Sequence, residues 1–238
     1  MSRRRSQTEI FQDYQWHNKS CMLLHITKER CDYIQSCIER AFGNGALSEQ
    51  EILEIGCGGG LICQELAQRG AIVFGIDPSK EALETARTYT EQAGVGQSVS
   101  FLQGHAEQLP YADGSFSVIL CLDVLEHVQN VQATLREIAR VLAPGGVFIF
   151  DTINRTWLAR LLLIWIGERI PNVSLVPGLH SYTAFIKPHE LHAFLTQDGL
   201  QVREMVGFMP RGFKQGRIIM GPGPFMGVSY VGYARKPL

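Results

Sequence analysis

The chain has six cysteines but no Cys-x-x-Cys pair, no apolar run near the length of a bilayer span, and no excess of either charge. Each absence removes a class. Without paired cysteines, zinc-knuckle and thioredoxin chemistry lack their ligands. Cys21, Cys31, Cys37, Cys57, Cys63 and Cys121 then read as free thiols of a reducing cytoplasm. With 22 Lys+Arg against 23 Asp+Glu, the net charge of −1 excludes a basic nucleic-acid reader. Lack of any apolar stretch of ~18 residues excludes a multi-span membrane protein. Arg3-Arg4-Arg5 is followed by polar residues and not by an apolar segment, so it is not expected to act as a secretory signal. Neither an internal repeat nor a low-complexity linker breaks the chain. What remains is 238 residues, 45% hydrophobic and 19% charged, enough for one α/β domain with a proper core.

From about residue 50, short apolar runs alternate with helical stretches, the pattern of βαβ units and a mainly parallel sheet. Strands are expected at 51–55, 71–76, 99–103, 117–121 and 147–151. Leu135, Ile138, Ala139 and Leu142 recur at helical spacing, and Pro144-Gly145-Gly146 is expected to stop that helix. A further helix starts at Pro188 and stops at Gly199. The tail supplies two more strands, at 202–208 and 228–236, antiparallel at the sheet edge and separated by a turn at Gly221-Pro222-Gly223-Pro224. The sum is a Rossmann-like, seven-stranded, mainly parallel sheet with helices on both faces. Residues 1–45 are expected to be an N-terminal helical segment over the cofactor site, and 46–238 the main domain, with a helical lid inserted at about 154–187.

The strongest local signal is Glu54-Ile55-Gly56-Cys57-Gly58-Gly59-Gly60, a buried strand running into a Gly-x-Gly-x-Gly turn. Glycines there let the chain turn sharply and a ligand approach without meeting a Cβ. Seventeen residues after Gly60 the next strand ends in Asp77, a carboxylate placed to accept both hydroxyls of a ribose. A dinucleotide fingerprint wants glycine at position 61, which is Leu61, and a P-loop wants Gly-Lys-Ser/Thr, which is absent. A tight turn with no ligand is the plain alternative.

The turn spacing resembles that of S-adenosyl-L-methionine-dependent methyltransferases. Gly104-His105-Ala106-Glu107, Leu125-Glu126-His127 and Leu142-Ala143-Pro144-Gly145-Gly146 extend the resemblance over roughly 50–152. It implies that His105 and Ala106 hold adenine, with His105 where an acidic residue is usual. Asp151-Thr152-Ile153-Asn154-Arg155, Pro177-Gly178-Leu179-His180 and Phe185-Ile186-Lys187-Pro188 further resemble the ubiquinone-pathway O-methyltransferases, which act on polyprenyl-hydroxyphenol and demethylubiquinol. That likeness implies a prenylated phenol or quinol as acceptor. It also implies Arg30 near the methionyl carboxylate, Glu54, Gly56, Cys57, Gly58 and Asp77 at the cofactor, and Leu122 beside the adenosine. Two positions depart from it: Asp123 replaces a usual Glu, and a paired-tryptophan segment is reduced to Tyr14-Gln15-Trp16.

Methyl transfer to a phenol needs its proton removed, because such a hydroxyl has a pKa of about 10. Asp123, Glu126 and His127 share one face if their segment is helical, a set suited to a divalent ion, and the resemblance points to magnesium. The alternative role for His127 is loop ordering or base work, and His180 is the second base candidate. In 155–168, Leu158, Leu161, Leu162, Trp165 and Ile166 share a helix face flanked by Arg155 and Arg160. Core packing and peripheral contact with the inner face of a membrane both fit it. Three rivals stay open: a carbon or nitrogen methyltransferase on another lipid or small molecule, a non-catalytic binding module, and a nicotinamide oxidoreductase.

Overall fold

Short apolar runs between glycine, proline or polar turns form strands in the computed structural model, which describes residues 14, 16–18, 21–169, 178–214 and 217–238. Five of them lie parallel: β1 (Glu51–Ile55), β2 (Ile72–Asp77), β3 (Val99–Gln103), β4 (Phe116–Cys121) and β5 (Leu142–Ile153). The N-terminal helix α1 (Met22–Phe42) precedes them, and α2 (Leu61–Gln68), α3 (Lys80–Gln92) and α4 (Val131–Val141) connect them. After β5 a helical segment runs through Trp157–Ala159, a wider π-helical stretch Arg160–Ile166 and a 3-10 turn Gly167–Arg169. Helix α5 (Pro188–Gln197) and strands β6 (Gln201–Lys214), β7 (Arg217–Gly223) and β8 (Ser229–Arg235) complete the chain.

The sheet order is β3-β2-β1-β4-β5-β8-β6-β7. Strand β8 lies antiparallel between β5 and β6, and β6 and β7 form a hairpin at the edge. Side chains alternate between the faces as strand geometry demands. Val118, Leu120, Val147 and Ile149 pack with Ile34 and Ile38 of α1 and Leu66 of α2. Ile119, Cys121, Phe148 and Phe150 pack on the other face with Leu135 and Ile138 of α4 and Leu191 and Leu195 of α5. The order reverses between β1 and β4, and a ligand crevice opens outside the strand ends at such a reversal.

Several expectations change. The described sheet has eight strands in place of seven, because Gly221-Pro222-Gly223 belongs to β7 and not to a turn. Pro222 stands opposite Phe208. A proline is tolerated there because β7 is the outer strand and needs no second row of N–H donors. The fourth-helix pattern stops at Val141, one residue before the last apolar position, and Leu142 already pairs with Phe116. The basic run at 3–5, Gln15 and Pro177 lie outside the described residues.

Candidate functional site

The glycine turn after β1 and the end of β2 are tied by backbone bonds: Gly56 N and Cys57 N both donate to Ile76 O, at 2.7 and 3.2 Å. Gly56 has φ +70, and a Cβ there would stand 2.3 Å from Val124 Cγ2, so only glycine lets the post-β4 loop approach this closely. Asp77 closes the far side. Its Oδ2 accepts Gly58 N at 2.9 Å and its Oδ1 accepts Ser79 N at 2.8 Å. Each carboxylate oxygen keeps a lone pair for another donor, which suits a ribose diol. Burial raises the Asp77 carboxyl, and those two N–H bonds oppose the rise.

Behind the turn, Glu54 is buried and accepts the Cys63 thiol at 2.8 Å. Burial pushes its carboxyl up to about 7. Over the turn lies Trp16, whose ring would meet a Cβ at either Gly58 or Gly59 within 2.5 Å. His17 Nε2 lies 2.8 Å from Gly59 O, and its ring stacks on Tyr89 at 3.5 Å.

The loop after β4 is a series of turns and not a helix, so Asp123, Glu126 and His127 do not form the expected face. Asp123 has φ +53 and is closed on Arg30, with Nη2 to Oδ2 at 2.5 Å. Arg30 Nε also lies 3.2 Å from Asp151 Oδ2 at the end of β5. Glu126 turns inward and accepts Thr152 Oγ1 at 2.7 Å. Burial, and next the charge of Asp123, raises the Glu126 carboxyl. Among the described residues no three His, Cys, Asp or Glu side chains stand together as a metal cage. The magnesium site expected from the sequence does not fit this arrangement, because its outermost carboxylate already faces a guanidinium. Arg30, expected at a methionyl carboxylate, is held by two carboxylates of the protein itself.

His127 and His180 face one another with ring centroids 5.6 Å apart. Burial, then His180, pulls the His127 imidazole down to about 4. His180 Nδ1 lies 3.2 Å from Oε1 of Glu168, and both residues are buried. Glu168 also accepts the backbone N–H of Gly178 at 2.8 Å and of His180 at 3.0 Å. Burial lowers the His180 imidazole, and Glu168 pulls the other way.

Most of these groups line one cavity of about 1070 Å³, while Glu168, Asp151 and Cys63 stand behind its lining. Its polar end holds Glu54, Gly56, Cys57, Asp77, His105 and Ala106. Its middle holds Arg30, Leu122, Asp123, Glu126, His127 and His180. Gly58, roofed by Trp16, is the one expected cofactor residue outside the lining. The far end is apolar, with Leu162, Phe213, Ile218 and Phe225 exposed at its rim.

A family model described as a methyltransferase domain matches residues 53–150, which hold the glycine turn, Asp77 and the post-β4 loop. Over 200 residues the chain is 36% identical to a ubiquinone biosynthesis O-methyltransferase of Rickettsia felis, covering 82% of this chain and 79% of that protein. A ubiquinone biosynthesis O-methyltransferase of Saccharophagus degradans is 37% identical over 75% of this chain and 72% of its own length. The chain belongs to the ubiquinone biosynthesis O-methyltransferase family. It is an S-adenosylmethionine-dependent methyltransferase. A SAM-dependent methyltransferase of Thermotoga maritima superposes over 97% of this chain and 99% of its own, with a TM-score of 0.68 at 20% identity. Magnesium protoporphyrin IX methyltransferase of Synechocystis, solved with SAH, gives 0.61 at 20% identity over 89% of this chain and 84% of its own. These two likenesses show the fold.

Three parts of the methyltransferase site escaped the sequence. Glu168 carried a faint signal, as the lone carboxylate next to the greasy run 161–167. Asp151 lay inside a motif without a role of its own. Phe213 and Ile218 join the cavity rim only because β6 and β7 form a hairpin, which the expected turn had hidden.

Proposed function

We propose that this methyltransferase acts on a phenolic hydroxyl of a prenylated phenol or quinol in quinone biosynthesis, working at the inner face of a membrane. The observation that carries the proposal is that one cavity joins Asp77, at the end of β2, to the apolar Leu162, Phe213 and Phe225, with the β6–β7 hairpin at the opposite edge of the sheet from β3 and β2. A ring held near His127 and His180 places a hydrocarbon tail along that apolar end. The relatives, ubiquinone biosynthesis O-methyltransferases, point to the same acceptor class.

Within this scheme Asp77 takes the ribose, His105 and Ala106 flank the adenine, and Leu122 packs beside it. Gly56 and Cys57 line the space for the methionyl part, Gly58 fixes Asp77 through its backbone N–H, and Glu54 braces the turn from behind through Cys63. When bound, S-adenosylmethionine supplies a methyl group on a sulfonium, open to in-line attack. The protein's part is to hold the hydroxyl in line, keep water out with Trp16 and the 157–169 helix, and take the proton on a neutral imidazole. His127 and His180 both qualify, since burial keeps each below the ordinary histidine value. No step runs through a metal.

Among the described residues no helix is long and apolar enough to cross a membrane. Trp157, 72% exposed, and Leu162, Trp165 and Ile166 beside it form an apolar face flanked by Arg160. Such a face suits lying in a lipid interface from which a prenylated acceptor is drawn. The described parts of the expected segments 1–45 and 154–187 are then the elements that cap the cofactor and the acceptor.

The test incubates purified protein with S-adenosylmethionine and a prenylated catechol in mixed micelles, with product identified by mass spectrometry. A methyl ether on the ring oxygen is expected. Methylation at ring carbon, or on an amine analogue alone, favours the carbon or nitrogen reading. Cells lacking the gene are expected to accumulate a demethylated quinone precursor.

A further inference from the structure

The two imidazoles facing the cavity are not equivalent. Taking a proton makes an imidazole positive, and a buried cation is costly unless a negative partner stands beside it. His127 and His180 disfavour each other's charge, and the Asp123 carboxylate favours a charge on either ring, so what sets the two apart is the group beyond them. His180 has the Glu168 carboxylate, itself fixed by two backbone N–H donors on the same turn. A carboxylate accepts only, so the Nδ1 facing it carries the hydrogen and Nε2 is left with its lone pair.

We propose that His180 Nε2 is the base that takes the acceptor's hydroxyl proton, and that Glu168 is the positioning residue that fixes its ring and tautomer. This rests on the phenolic acceptor proposed above. In the step, the O–H electron pair stays on oxygen and forms the new O–CH3 bond. The C–S pair returns to sulfur, and the proton sits on His180 until it is passed to water. Other charged or titratable groups facing His180 are Asp123 and His127, on the post-β4 loop. Glu168 needs no contact with the acceptor. Its two backbone bonds hold residues 178 and 180 against the 157–169 helix.

The test compares a prenylated catechol with a nitro-substituted analogue whose hydroxyl is already ionised at the assay pH. For Glu168→Gln, kcat on the catechol is expected to fall about 100-fold, with both KM values within about twofold. On the nitro analogue the same variant is expected to lose less than about threefold, because no proton remains to be taken. His180→Asn is expected to follow the same split while keeping the two backbone bonds of Glu168. It carries the test if Glu168→Gln no longer binds S-adenosylmethionine by calorimetry. Equal losses on both acceptors, or full kcat in His180→Asn, overturn the dyad while leaving the acceptor class standing. A wild-type protein that methylates neither phenol overturns the acceptor class and the dyad together.

Discussion

Asp151 Oδ1 accepts the backbone N–H of Asp123 over 2.6 Å, so the last residues of β5 set the shape of the loop after β4. The same carboxylate faces Arg30 Nε through its other oxygen, and one buried group thereby serves a backbone strained to φ +53 and a buried cation. Asp151→Ala removes both contacts and leaves Arg30 with Asp123 alone. A loss of about 2 kcal/mol in urea unfolding is expected, since the Asp123 N–H loses its acceptor and a buried cation keeps only one of its two carboxylates. Asp151→Asn keeps an acceptor for Asp123 N and is expected to lose less than half of that.

Arg30 at 2.5 Å from Asp123 leaves that carboxylate poorly placed for a cation. Exhaustive chelation with EDTA is therefore expected to leave turnover within about twofold, and added magnesium to leave it unchanged. A large loss restored by magnesium would mean that Arg30 releases Asp123 in the working enzyme. Arg30→Gln, which frees Asp123, is the variant in which metal dependence is expected to emerge.

Glu54 gives the apoprotein a pH signature. Burial pushes its folded carboxyl up to about 7, against 4.5 for an ordinary glutamate. The folded state therefore holds a proton that the unfolded chain releases between those values, and stability falls as pH rises through that window. Glu54→Gln cannot release it. Chemical unfolding at pH 5 and pH 8 is expected to show a smaller decline in the variant, by about 3 kcal/mol at most. Equal slopes in the two proteins would mean that Glu54 stays ionised behind the glycine turn.

The exposed rim predicts where lipid contact is made. Leu162 is 40% and Phe213 73% exposed, on two different elements at one mouth. Moving such a side chain out of water is worth roughly 2 kcal/mol. Leu162→Glu and Phe213→Glu are each expected to cut partition onto anionic lipid vesicles at least about tenfold, read by co-sedimentation. Unchanged pelleting of both folded variants would return the 157–169 helix to an ordinary surface role.

The legible and illegible parts of this chain divide by sequence distance. Strands β1 and β3 have the bounds expected from their apolar runs, because a five-residue strand between turn residues is a local event. Asp77 was readable for the same reason, since it closes a βαβ unit that the glycine turn opens. Arg30 was not: its partners stand 93 and 121 residues downstream, and only the stacking of α1 over the ends of β4 and β5 brings them together. Glu168 depends on residues 178–180 lying against the helix, ten to twelve positions on from it. Pro222 misled because its meaning changes at a sheet edge, and no local pattern marks which strand will be outermost.

Trp16 lies across Gly58 and Gly59, some forty residues ahead of them in the chain. The amide hydrogens of the glycine turn are thus shielded from solvent by a segment that belongs to none of the strands around them. Their exchange with deuterium clocks the undocking of that segment, while the amides of β1 and β4 report the opening of the sheet. The turn proposed to receive the cofactor therefore carries its own timer, separate from the stability of the fold that holds it.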